Sequence, residues 1–437
     1  MKFSDFIISL LKEFNSNDVT YCILRNYKSL PNVNDGNDID FLVRQADLAK
    51  ISEVLYALPG MVVTGYAKRP YVVSFFLFGI NDEGVDTGIQ VDFFISLSWK
   101  GMPYIDADQM LTTSRPFSNN ELIIIPDIKY EAVNNLFSSY LVGGWIKEKY
   151  LDGILVVFSK HLDQVIEILS RTFGHNLSKE LVENLLANNR QYLLGMMLWK
   201  LRTMLVYINI TSSPIPMLKG LFSYYKYEVL YRMTSSNIDD VVFLGVDGVG
   251  KSTVIKSVVR DLKNTTKEIG VCHLRPGLFK RSNNNIDVSD PHAMPERSFL
   301  FSMIKLQLWT VELWLNKVFH GHKNITLRIW DRYYHDIFID PKRYRYRTGG
   351  ARLLGRLIPK PKLWILLDAS SDVVLGRKQE VSTEECERQI ESYRKFITSV
   401  SGGVVIDASQ TEGNVLSDVK AVIIDYMIKR TNERVNR

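Results

Sequence analysis

Apolar residues at Phe3, Phe6, Ile7, Leu10, Leu11 and Phe14 recur at the three-and-four spacing of a helix, so residues 4–15 read as amphipathic. Short β-branched and aromatic runs follow at 20–25 (TYCILR), 38–43 (DIDFLV), 71–80 (YVVSFFLFGI) and 88–96 (GIQVDFFIS). The last two flank NDEG at 81–84, a hairpin-like turn signal, and a helical stretch at 46–58 interrupts the series. This pattern predicts an α+β domain over residues 1–128, with its strands in a mixed or antiparallel sheet.

Over residues 129–238 the period changes to 3.6, with helical runs at 162–169, 179–189 and 191–208, a break at TSSPIP (211–216), and an aromatic, basic stretch at 218–233. These residues are expected to form a helical connecting region. The 191–233 portion reads first as helices packed on a core; the alternative is contact with a membrane surface. Over residues 239–437 strand and helix patterns alternate: VVFLGV, a helix from Lys251, IGVCHL (269–274), a long helix at 298–319, NITLRIWD (324–331), KLWILLD (362–368), a helix at 383–398, VVIDAS (403–408) and a closing helix. Repeated β–α units predict an α/β domain with a parallel sheet flanked by helices.

Composition changes this picture little. The chain has 437 residues, enough for two or three domains, and a net charge of +6 that suits an anionic ligand such as a nucleotide without calling for nucleic acid. Cys22, Cys272 and Cys386 make no C-x-x-C pair. Asp5, Lys12 and Glu13 interrupt the first apolar stretch, and no uninterrupted apolar run reaches 18 residues. Neither a signal peptide nor a spanning helix is therefore expected, and the expected location is the cytoplasm.

The sharpest chemical signal is Gly245-Val246-Asp247-Gly248-Val249-Gly250-Lys251-Ser252-Thr253, which fits G-x-x-x-x-G-K-[ST] between a strand and a helix. Glycines let the backbone wrap so that successive N–H groups face phosphate oxygens, and the helix start adds its positive end. Lys251 is expected on the β- and γ-phosphates of ATP, and Ser252 on Mg²⁺.

The form G-x-D-G-x-G-K-S-T resembles the P-loop of the thymidylate kinases. HLRPG (273–277), Asp331-Arg332-Tyr333, LLDASSDVVLGRKQE (366–380) and VVIDAS are similar, in the same order, to that family's later motifs. The resemblance covers about residues 239–430. It implies an ATP- and Mg²⁺-dependent kinase in which Asp331 anchors magnesium through water. Arg332 and Arg275 would grip the acceptor phosphate, Arg377 would close over the transferring group, and Asp247 would contact an acceptor hydroxyl. It also hints at a homodimer. The chain departs from the family in its long polar stretch at 281–298 and in the basic run with Arg343, Arg345 and Arg347. The expected acceptor is therefore a nucleoside monophosphate or a related phosphorylated molecule such as a sugar phosphate. A carbohydrate kinase acting on a glycan end and a non-catalytic nucleotide switch are the alternatives.

Asp38 and Asp40 stand two apart in an apolar strand, hence on one face, and Asp92 lies in another strand. Two carboxylates on one strand and one on a neighbour suit a metal clamp. The pattern over residues 1–100 resembles the polymerase-β-type nucleotidyltransferases. Where that superfamily carries Gly-Ser, this chain reads Leu24-Arg25-Asn26.

Overall fold

The structure, a computed structural model, describes residues 3–32, 38–80, 86–230, 238–274, 298–319, 326–340, 355–378 and 381–435. The expected turn at 81–84, Arg275, nearly all of the 281–298 stretch, and Arg343, Arg345 and Arg347 lie outside the described residues. The chain divides into two compact units, Met1–Tyr231 and Arg232–Arg437.

The first unit is built on a five-stranded mixed sheet in the order β1-β2-β5-β4-β3. Its strands are β1 (Tyr21–Ile23), β2 (Asp38–Val43), β3 (Val62–Lys68), β4 (Val72–Ile80) and β5 (Asp86–Phe94). Only the β2–β5 pair is parallel; the other three neighbours are antiparallel. Alternation along the strands divides the apolar residues between two cores. On one face, Ile39, Phe41, Val91 and Phe93 pack with Phe6, Leu10 and Phe14 of α1 (Phe3–Ser16) and Ile51 and Leu55 of α2 (Leu48–Ala57). Phe14, Tyr21, Phe41, Phe75 and Phe93 form edge-on and stacked ring pairs there. Such pairs add directional preference to the area that they bury.

The other face, through Cys22, Leu24 and Leu42, joins the core of a helical array. Two small hairpins, β6–β7 (Ser98–Trp99, Met102–Pro103) and β8–β9 (Arg115–Phe117, Asn120–Ile125), and a short helix α3 (Ala107–Thr112) lead into it. The array comprises α4 (Ile128–Gly143), α5 (Glu148–Lys160), α6 (Leu162–Phe173), α7 (His175–Leu186), α8 (Arg190–Tyr192), α9 (Leu198–Ser212) and α10 (Pro214–Tyr224). A wide π turn at Leu193–Met197 links α8 to α9. The helical residues thus share a core with the sheet and belong to the same compact unit. The continuous helix Arg190–Ser212 contains an 18-residue window of mean hydropathy 1.3, which by length and composition is enough to cross a bilayer. Reading only uninterrupted apolar runs misses it, because Lys200 and Arg202 break the run.

The second unit carries a five-stranded, wholly parallel sheet in the order β11-β12-β10-β13-β14. Its strands are β10 (Asp239–Leu244), β11 (Ile269–His273), β12 (Leu327–Asp331), β13 (Leu363–Asp368) and β14 (Gly403–Asp407). Its central strands are almost continuously apolar and buried, as a sheet covered on both faces requires. The flanking helices are α11 (Lys251–Asp261), α12 (Phe299–Phe319), α13 (Asp336–Ile339), α14 (Ser371–Arg377), α15 (Thr383–Ser399) and α16 (Glu412–Val435). Asp239, at the start of β10, accepts hydrogen bonds from Tyr426, Arg430 and Arg434 and so ties α16 to the central strand.

Candidate functional site

The central strand β10 ends at Leu244, and the chain then turns through the glycine loop into α11. Gly245, Gly248 and Gly250 have φ of 142°, 88° and 107°, a region that side-chain-bearing residues rarely adopt. At Gly245 a Cβ would also stand 2.7 Å from the Leu367 carbonyl oxygen, so both conformation and space demand glycine. Lys251 is buried, and its Nζ donates to the carbonyls of Gly245 (2.6 Å) and Val246 (2.9 Å). Burial, and then the neighbouring Arg332, push its ammonium down to about 8. The hydroxyl-bearing Ser252 and Thr253 face outward in the first turn of α11.

Parallel pairing brings the next element to this loop. Asp331, the last residue of β12, is in register with Phe243 on β10 and with His273 on β11. His273 Nδ1 lies 3.1 Å from Asp331 Oδ2, while Asp331 Oδ1 is buried with no hydrogen-bond partner among the described residues. Burial raises the Asp331 carboxyl, but the hydrogen bond to His273 and the charges of Lys251 and Arg332 outweigh it and hold the group below the usual range. An ionised carboxylate with one buried, unserved oxygen suits a hard cation. Asp331 therefore fits a magnesium ion, and the loop, with Ser252 exposed at the start of α11, fits the phosphates of a nucleotide.

Arg332 is buried with φ 69°, and its amide donates to the Phe243 carbonyl. Its guanidinium bridges two carboxylates: Nη2 donates to Asp247 in the loop and Nη1 to Asp336 (3.2 Å). Asp336 is fully buried and also accepts from the Tyr393 hydroxyl (2.5 Å). In this arrangement Arg332 fixes the loop's Asp247. Arg377 donates to the carbonyls of Val249 (3.2 Å) and Ala408 (3.1 Å). There it forms one wall of a cavity of about 340 Å³ that is also lined by Gly248, Gly250, Thr253 and Gln410. Sequence reasoning missed His273, Asp336 and Tyr393. The four-residue spacing of Arg332 and Asp336 was an available signal, but nothing local announces Tyr393.

A second constellation lies in the first unit. Asp40 on β2 is in register with Asp92 on β5, and Asp38 with Gln90, so all four side chains share the face opposite α1 and α2. Ligand atoms of Asp38, Asp40 and Asp92 lie within 4.8 Å of one another. Arg25 Nε donates to Asp40 Oδ2 (2.5 Å), Gln90 donates to Asp92 (3.1 Å), and the buried Asp40 Oδ1 has no partner among the described residues. Burial raises the Asp40 carboxyl to about 6, with Arg25 opposing and Asp38 and Asp92 adding to the rise. Burial raises that of Asp92 too. Beside Arg25 opens a cavity of about 430 Å³ whose lining includes Lys28, Lys149, Tyr150, Glu131 and Asn135.

No family model matches the chain. Among curated proteins, a probable thymidylate kinase of Methanosphaera stadtmanae is 25% identical over 202 residues, covering 43% of this chain and 98% of that protein. Taken with the five-stranded parallel sheet and the glycine loop, this distant likeness supports a P-loop, kinase-like part with a nucleotide-kinase-like activity.

Proposed function

We propose that the second unit transfers the terminal phosphoryl group of ATP to a nucleoside monophosphate or a related phosphorylated acceptor. One observation carries this reading: a loop with three glycines at positive φ directly follows the strand whose Phe243 is in register with Asp331, a carboxylate held ionised with a buried oxygen to spare. The loop amides and the start of α11 would receive the phosphates. Lys251 would exchange its two carbonyl partners for phosphate oxygens, and anionic phosphate would offset the burial and the Arg332 repulsion that now depress its ammonium. Magnesium, when bound through Ser252 and Asp331, supplies neutralisation of developing charge. Arg332 holds Asp247 at the loop's outer edge, where that carboxylate would meet an acceptor hydroxyl. Arg377 would close the nucleotide side of the site from the cavity it already lines. The test is label transfer from γ-labelled ATP to a panel of nucleoside monophosphates and sugar phosphates. The expected result is Mg²⁺-dependent labelling of a phosphorylated acceptor. Labelling confined to unphosphorylated glycans, or release to water alone, would overturn the reading.

A second reading concerns the first unit, on the strength of the three convergent aspartates and the orphaned Asp40 oxygen. We infer that this unit holds a divalent cation and, in the adjoining cavity, a phosphate-bearing ligand drawn by Arg25, Lys28 and Lys149. Since Arg25 already engages one oxygen of Asp40, a single cation fits better than a pair.

A further inference from the structure

The paired helices α9 and α10 have two different sides. Inward, Met197, Leu201, Leu205 and Met217 are buried in the core of the helical array. Outward, α9 presents Trp199, Tyr207 and Ile210, and α10 presents Leu218 and Phe222 with Tyr225 just past its end. Both outward sets follow helical spacing, so each forms a stripe. Trp199 is 65% exposed and Phe222 72%. Soluble proteins seldom leave contiguous aromatic and aliphatic surface of this kind uncovered.

Charge identifies the occupant. From Arg190 to Tyr227 the chain carries Arg190, Lys200, Arg202, Lys219 and Lys226 and no Asp or Glu. Arg190 pairs with Glu148, Lys200 with Glu180, and Arg202 donates to the Leu141 carbonyl. Lys219 and Lys226 are exposed beside Phe222 and pair with no carboxylate among the described residues. A second copy docking by two-fold symmetry would set this basic face against itself. Aromatic and aliphatic residues on one side with unopposed lysines at their margin match an anionic lipid surface instead.

We propose that the outward faces of α9 and α10 seat the protein on an anionic bilayer surface, with both helices lying in the headgroup plane. The inward stripe favours a surface seat over spanning: the buried 28% of the apolar window of Arg190–Ser212, with the Arg202 anchor, belongs to the unit's own core. The membrane therefore takes the remaining side.

Co-sedimentation of the full-length chain with vesicles tests this. Vesicles of phosphatidylcholine containing one-third phosphatidylglycerol should pull the protein down, and pure phosphatidylcholine should do so about tenfold less well or worse. Rising salt should weaken the anionic case. Leu218→Ser/Phe222→Ser and, separately, Lys219→Glu/Lys226→Glu should each lower vesicle affinity about tenfold or more, with circular dichroism and melting unchanged. Failure of the wild type to bind anionic vesicles, or undiminished binding by both variants, would overturn the proposal. So would light scattering that finds a dimer which only the apolar double variant dissociates, since the face would then belong to a second copy.

Discussion

Replacing Lys251 by Met should abolish phosphoryl transfer while leaving the nucleotide-free protein about as stable at neutral pH and removing one component of its pH dependence. The ammonium is buried, and its depression from 10.5 to about 8 amounts to roughly 3 kcal/mol of unfavourable charge burial at neutral pH. Methionine keeps the volume and removes the charge. It also removes two hydrogen bonds from a charged donor to the Gly245 and Val246 carbonyls, which offsets about 1.5 kcal/mol each. The two nearly cancel, so the net expectation at neutral pH is a melting temperature within roughly 2–4 °C of the wild type. The pH dependence carries the signature. Because the folded-state value lies below the unfolded one, the unfolded chain binds more protons between about 8 and 10.5. Wild-type stability should therefore gain a rising component across that window. Below about 8 the charge-burial penalty is fully present, and the Met variant should lack the rise altogether. Calorimetric melting of both proteins from pH 7 to 10 without nucleotide, beside a single-turnover assay at pH 7.5, measures both halves. A variant that melts several degrees lower, or one that retains transfer within tenfold of wild type, refutes the reasoning.

Arg332→Gln leaves the fully buried Asp336 without its guanidinium and takes the same partner from Asp247; denaturant unfolding of the second unit should show a loss of about 3–5 kcal/mol. Gly245→Ala meets both a φ of 142° and the Leu367 carbonyl, so it should destabilise by about 1–3 kcal/mol and reduce ATP affinity in the same preparation, as melting and titration can check. In the first unit, protons compete with a cation for Asp40, so Mn²⁺ affinity measured calorimetrically should fall as pH drops through about 6 and vanish in Asp40→Asn/Asp92→Asn. Without cation the sign reverses: the folded-state value is raised, so Asp40 contributes stability present below about 4 and lost as pH rises through about 6. Mn²⁺ binding that is flat from pH 5 to 7.5 would remove Asp40 from the site.

Legibility of the fold and site followed the range of the interactions. The glycine loop was readable because nine contiguous residues carry it, and the same residues set its backbone conformation. Asp38 and Asp40 announced a shared face through strand alternation, but their meeting with Asp92 depends on β2 lying parallel to β5, a non-local pairing that no local pattern encodes. The strands at 62–68 and 115–125 escaped notice, the first for its Gly65 bulge and mixed polarity. Tyr393 reaches Asp336 across 57 residues of sequence, and its helix looks like any solvent-facing helix with a few apolar positions. The helical run at 191–208 was readable from its 3.6 spacing; which side the core covers is decided only when α4 to α7 assemble around Leu201 and Leu205.

The central claim is that the loop from Gly245 to Thr253, with Asp331, holds a magnesium–nucleotide complex in a form ready to give up its terminal phosphoryl group. Titration calorimetry of the full-length protein with ATP, with and without Mg²⁺, addresses it most directly. Saturable binding to one site in the second unit, tightened at least tenfold by Mg²⁺ and losing that gain in Asp331→Asn, is the result expected. Binding that ignores both Mg²⁺ and Asp331, or no binding of ATP at all, would contradict it.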